Sequence, residues 1–227
     1  MSLDWNAIYA GPFHHPGLAF AFCLALLLRL VMRFPPSAMR RVMLLLLANT
    51  AVDAFLTGAL TPLSGTVARV FAIAFVITGD FRFWVLVERY RTPDATWKGA
   101  FLRAVPLSFV VPVAAAIAIL ARPDVFSGPD GYQLKPIFLA YESLFSALAS
   151  VLLLTRYVSR RAAPAYGWYL TRLLLLWLAM YGLWVGCDVL LLFGHGWALG
   201  LRIVPNVLYY GVFLYAATYF APEEAWT

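Results

Sequence analysis

Seven uninterrupted apolar runs dominate the chain, and they restrict the fold more than any motif does. Each is long enough to cross roughly 30 Å of hydrocarbon as a helix. They fall at roughly 17–34, 39–61, 66–89, 99–121, 136–157, 169–193 and 198–221. The punctuation between them is chemically sensible. Pro35 and Pro36 end the first run, and Pro62 to Gly65, Thr92 to Asp94, Pro164 to Gly167 and Gly194 to Gly196 read as turns. The connection from Arg122 to Lys135 holds Pro123, Gly128, Pro129 and Gly131 and reads as a loop. Composition agrees: 63% of residues are hydrophobic and 12% charged, with mean hydropathy +0.80. That is about half the charge of a soluble domain, which excludes a soluble enzyme, a disordered chain and a disulfide scaffold. The expectation is an all-α integral membrane protein, a seven-helix bundle occupying residues 1–227 as one transmembrane domain.

The formal net charge is +6, yet the basic residues cluster at the ends of apolar runs, and no nucleic-acid module pattern is present. The first, third and fifth connections are flanked by Arg29, Arg33, Arg40, Arg41, Arg89, Arg91, Lys98, Arg103, Arg156, Arg160, Arg161 and Arg172. The opposite side has Arg69, Arg122, Lys135 and Arg202. Basic residues mark the cytoplasmic side, so the N-terminus is expected outside and the C-terminus inside. The Arg- and Ala-rich usage suggests the cytoplasmic membrane of a bacterium. A 3+1+3 parallel repeat is also outlined. Arg41 to Ala48 resembles Arg172 to Ala179, and Arg69 and Arg202 open the runs that follow. Chance similarity between Leu-rich spans is the competing account.

Charges at bilayer depth are expensive and tend to face the bundle interior. Asn49, Asp53 and Thr57 share one face of the second helix, Glu142 lies with Ser146 and Ser150 on the fifth, and Asp188 lies with Trp184, Tyr181 and Trp177 on the sixth. The third helix carries Asp80 and Arg82, about 200° apart and unable simply to pair with each other. The seventh carries Arg202, Asn206, Tyr209 and Tyr210. The expected binding set is Asp53, Asp80, Glu142, Asp188, Asn49, Asn206, Trp184 and Tyr181, lining one acidic cavity that opens outward. Arg82 is expected to form a structural ion pair with Asp53, which lies at similar depth. The plainer account is a set of interhelical hydrogen bonds worth about 1 kcal/mol or less each.

Several other signals carry less. Glu88-Arg89-Tyr90 resembles the E/D-R-Y motif of G-protein-coupled receptors, but the last helix has Pro205-Asn206 in place of N-P-x-x-Y. An interfacial anchor accounts for the three residues. The topology also resembles microbial rhodopsins, but Lys98 and Lys135 both lie in connections, so a Schiff-base retinal is excluded and no cofactor is expected. His14, His15 and His195 include no i, i+4 pair, and no metal is assigned. Cys23 and Cys187 read as two inert thiols in preference to a disulfide.

The leading functional expectation is a transporter or channel for a small polar or cationic solute, proton-coupled through the midplane acids. The first alternative is a sensor acting through a cytoplasmic protein partner. The second is an intramembrane lipid enzyme using Asp53 or Asp80 to activate water.

Overall fold

A computed structural model describes residues 4–128, 131–132 and 134–227. Its helices are α1 Trp5–Tyr9, α2 Ala19–Arg33, α3 Ala38–Thr57, α4 Gly65–Tyr90, α5 Trp97–Ser108, α6 Val110–Ala121, α7 Pro123–Phe126, α8 Leu134–Leu154, α9 Pro164–Leu192, α10 Ala198–Val207 and α11 Phe213–Tyr219. A π-helical stretch, Leu208–Val212, joins α10 to α11, and a kinked segment, Phe13–Leu18, with extended backbone at His15, leads into α2. A two-residue antiparallel pair, β1 Ser127–Gly128 and β2 Gly131–Tyr132, lies within the long connection.

Among the described residues, six helical segments are long and apolar enough to cross a membrane: Trp5–Arg33, Gly65–Tyr90, Trp97–Ala121, Lys135–Leu154, Pro164–Leu192 and Ala198–Tyr219. The expected second span, α3, is the exception. It is 20 residues long but carries Arg40, Arg41 and Asp53. It nevertheless packs against both α2 and α4. The chain is therefore a multi-pass membrane protein by the length and apolarity of its helices. Outward faces agree, since Leu24, Met32, Leu45, Ile73, Leu102, Leu120 and Leu154 are exposed, as suits lipid in place of water.

Local chemistry sets the helix ends. Ser37 caps α3 by accepting from the Arg40 amide, and Thr96 caps α5 by accepting from the Gly99 amide. Pro164 is not a turn residue as expected: it occupies the first position of α9, where a missing N–H is harmless. The Trp97–Ala121 span breaks at Phe109, between α5 and α6. Pro112 lacks the N–H that would bond Ser108, and its ring crowds that carbonyl.

The ends of the bundle are fixed by aromatic and polar contacts. At one end Phe34 stacks on Trp226 at 3.9 Å, Tyr90 on Tyr166 at 4.7 Å, and Tyr169 donates to the Ala217 carbonyl. Glu88 is buried there and ties α4 to α5 through Arg103 at 2.8 Å, with Arg91 at 3.0 Å as a second partner. The Glu88-Arg89-Tyr90 motif thus works as a helix clamp. At the other end Tyr9, His14 and Asn206 meet, and the Ala59 amide donates to the His15 carbonyl. A side chain at Gly58 would press on the rings of His15 and Pro16, so glycine permits this close approach of the N-terminal arm. Cys23 and Cys187 are both buried and free.

α8 ends in a Schellman motif. The Tyr157 amide donates to the Leu152 carbonyl and the Arg156 amide to the Leu153 carbonyl. Arg156, at the position glycine normally takes, has φ 52°. A side chain in that conformation costs about 1–2 kcal/mol. Arg156→Gly is therefore expected to stabilise the protein by about 1 kcal/mol, less the entropy that glycine adds to the unfolded chain. Thermal unfolding in detergent measures it, and a lowered midpoint contradicts the strain argument.

Candidate functional site

A cavity of about 580 Å³ lies in the half of the bundle away from the arginine-rich end. Asp53 reaches it from α3, Glu142 from α8, Tyr181 and Trp184 from α9, and Arg202 and Asn206 from α10. Tyr209 and Tyr210 come from the π-helical stretch. The π turn there is a local departure from α geometry of a kind common at functional sites.

The N-terminal arm supplies residues that hydrophobic periodicity does not reveal. Asp4 caps α1 by accepting from the Asn6 and Ala7 amides, and the chain then folds back so that Tyr9, His14 and His15 line the cavity. His14 Nδ1 lies 2.7 Å from the Tyr9 carbonyl, which can only accept, so Nδ1 carries the proton. Its Nε2 then accepts from Asn206 Nδ2 at 3.2 Å, and Asn206 Oδ1 accepts from Trp184 Nε1 at 2.9 Å. His15 Nε2 meets the Thr57 hydroxyl at 3.1 Å. Thr57 lies 3.0 Å from Asp53 Oδ1, and the Tyr210 hydroxyl approaches the same oxygen at 3.5 Å.

Asp80 and Asp188 are buried but stand one layer behind the cavity wall. Asp80 accepts from Tyr141 at 2.8 Å, from Trp177 at 3.3 Å and from Tyr181. Tyr141 and Tyr181 separate it from the open space, so it reaches a ligand only through them. Asp188 pairs with Arg202 at 2.9 Å, and Arg202 also holds Glu142 at 3.2 Å. Asn49 is half-buried on α3 and lies outside the cavity lining.

The expected ion pair between Arg82 and Asp53 is not formed. Arg82 donates instead to the Gly79 carbonyl at 3.1 Å and to the Thr50 hydroxyl at 2.5 Å, and its guanidinium lies 4.3 Å from the centre of the Tyr209 ring. The slant of helix side chains explains this, since Nε finds a carbonyl one turn back on its own helix. A side chain at Gly79 would overlap the Tyr209 ring, so glycine is what lets Tyr209 sit there. Arg82 still acts electrostatically on both Asp53 and Asp80.

Charge is therefore arranged in two groups. Asp53 and Asp80 surround Arg82, and Glu142 and Asp188 surround Arg202. Each group has one carboxylate more than its arginine balances when all are ionised. One Glu142 oxygen, Oε2, is buried without a hydrogen-bond partner among the described residues. Below the cavity Phe83 stacks on Trp177 at 4.1 Å and Phe145 on Tyr181 at 4.6 Å, forming an apolar floor. No three His, Cys, Asp or Glu side chains gather as a metal site among the described residues. Besides Arg202, which holds Glu142, the cavity offers two carboxylates among aromatic faces, a setting that suits a desolvated cation. Comparison with protein families, curated proteins and solved structures gives no match to this chain.

Proposed function

We propose that the chain is a seven-helix protein of the bacterial cytoplasmic membrane, N-terminus outside, that takes a small organic cation into this cavity and carries it across. Counting α3 as the seventh span rests on its packing between α2 and α4. The observation that carries the functional reading is the placement of Asp53 and Glu142 in one cavity with Trp184, Tyr181, Tyr209 and Tyr210. Carboxylates supply the countercharge and aromatic faces hold the alkyl groups of an ammonium. An acid that releases its proton when the cation arrives provides the coupling.

The aromatic floor favours one competing reading, in which the cavity belongs to a sensor that signals through a cytoplasmic partner. A carrier must open that floor, whereas a sensor has no need to.

Alkylammonium ions from ammonium to tetraethylammonium serve as probes, with tert-butanol as a neutral control. Intrinsic tryptophan fluorescence of the purified protein, with Trp184 at the cavity, is expected to report saturable cation binding. Asp53→Asn or Glu142→Gln should weaken it about tenfold or more, which corresponds to 1.4 kcal/mol, with little change in unfolding temperature. Equal responses to the cations and to the alcohol would sink the reading. Uptake into proteoliposomes then separates carrier from sensor, since a sensor binds without accumulating the probe.

A further inference from the structure

A second cavity of about 290 Å³ lies at the arginine-rich end, between the close of α4 and the turn that joins α8 to α9. Its lining is Arg91, Thr155, Tyr157, Arg160 and Arg161, with no carboxylate among them. The preference of basic residues for one membrane face explains why arginines lie here. It does not explain why three converge on a single hollow.

Two observations show a built arrangement. Arg91 is held in place, its guanidinium paired with Glu88 at 3.0 Å and lying 4.7 Å from the centre of the Tyr157 ring. Its Nε is buried and has no partner among the described residues. Arg160 and Arg161 are exposed and form no ion pair among the described residues. The second observation is the strained turn. Arg156 keeps its left-handed backbone where glycine is easier, and the Arg160 amide bonds back to the Arg156 carbonyl at 2.9 Å. That turn brings Tyr157, Arg160 and Arg161 beside Arg91. Strain retained at one position points to a use for the geometry that it holds.

We propose that this pocket binds a negatively charged phosphate group, either the headgroup of an anionic phospholipid or free phosphate. Planar guanidinium groups match phosphate oxygens with paired N–H donors, and basic pockets at the cytoplasmic ends of membrane helices suit such headgroups. The site is separate from the acidic cavity and does not depend on how that cavity is used.

The test uses the full chain in nanodiscs. Native mass spectrometry compares retention of phosphatidylglycerol with retention of phosphatidylcholine. In parallel, inorganic phosphate is titrated by thermal shift in phosphatidylcholine discs. The wild-type protein is expected to prefer phosphatidylglycerol about tenfold, and Arg160→Gln with Arg161→Gln should abolish the preference. Arg33→Gln with Arg41→Gln, the same charge change on exposed residues at the same end, should keep it. A phosphate-induced rise in unfolding temperature that the pocket variant loses identifies free phosphate. A lipid preference without that rise identifies the headgroup. Equal lipid retention by wild type and pocket variant with no phosphate response, or equal loss in the control pair, overturns the proposal. The unfolding temperature of the pocket variant in phosphatidylcholine discs without phosphate verifies that it folds.

Discussion

Arg82→Leu is expected to lower stability by about 3–5 kcal/mol, the range for removing one member of a buried charge group. Arg82 is almost wholly buried, at 1% exposure, and among the described residues it is the cation that acts on both Asp53 and Asp80. Its loss leaves both carboxylates, one on α3 and one on α4, without the guanidinium that acts on them. It also frees the Gly79 carbonyl, the Thr50 hydroxyl and the face of Tyr209. Because Arg82 lies within the field of both acids and bonds neither, rescue should be shared. Arg82→Leu combined with Asp53→Asn, and with Asp80→Asn, should each recover part of the loss. Arg82→Lys should fall between wild type and leucine, since an ammonium lacks the planar fork that reaches two acceptors at once. Thermal unfolding in detergent reads all four variants, and an unchanged midpoint for Arg82→Leu contradicts the argument.

The second large effect belongs to Asp80. Asp80→Leu leaves the Tyr141 and Tyr181 hydroxyls and the Trp177 indole N–H without their acceptor, with Trp177 and Tyr181 buried and Tyr141 half-buried. At about 1–3 kcal/mol for each stranded donor, the three together consume a large part of a typical fold's stability of about 5–15 kcal/mol, and little folded protein is expected. Asp80→Asn is the contrast. Its carbonyl oxygen can still accept from Tyr181 and Trp177, while the Tyr141 hydroxyl can rotate to accept from the new amide. Near-ultraviolet circular dichroism, sensitive to Trp177 and the two tyrosines, should be close to wild type for asparagine and lost for leucine. Comparable losses in both variants would show that Asp80 acts by its charge and not by accepting hydrogen bonds.

These two residues also mark how far the sequence can be read. Helix phase puts Asp53, Asp80, Glu142 and Asp188 on inward faces, and all four are buried. Phase gives a direction but no depth. Tyr141 and Tyr181, from α8 and α9, close over Asp80, and no pattern within α4 encodes that cover. The pairing expected for Arg82 fails for a similar reason. Equal depth on two helices does not bring side chains together when a nearer carbonyl, that of Gly79, lies on the same helix. The sequence places His14 and His15 at the outer mouth of the bundle and no further. Their place in the cavity depends on the return of the arm over Gly58, a contact between segments with no shared periodicity. Six of the seven apolar runs were readable as spans among the described residues, because lipid demands length and apolarity of each helix separately.

The π-helical stretch from Leu208 to Val212 makes chain length itself a determinant of the cavity. Deleting one residue there would restore ordinary α geometry and could leave the fold intact. One position would be removed between Asn206 and Phe213, so the ring beneath Arg82 or the hydroxyl beside Asp53 would be displaced. Among homologues, the number of residues between Asn206 and Phe213 would therefore say as much about ligand contacts as the residues themselves. A chain that keeps every polar side chain but is one position shorter in this stretch would share the architecture without sharing the site.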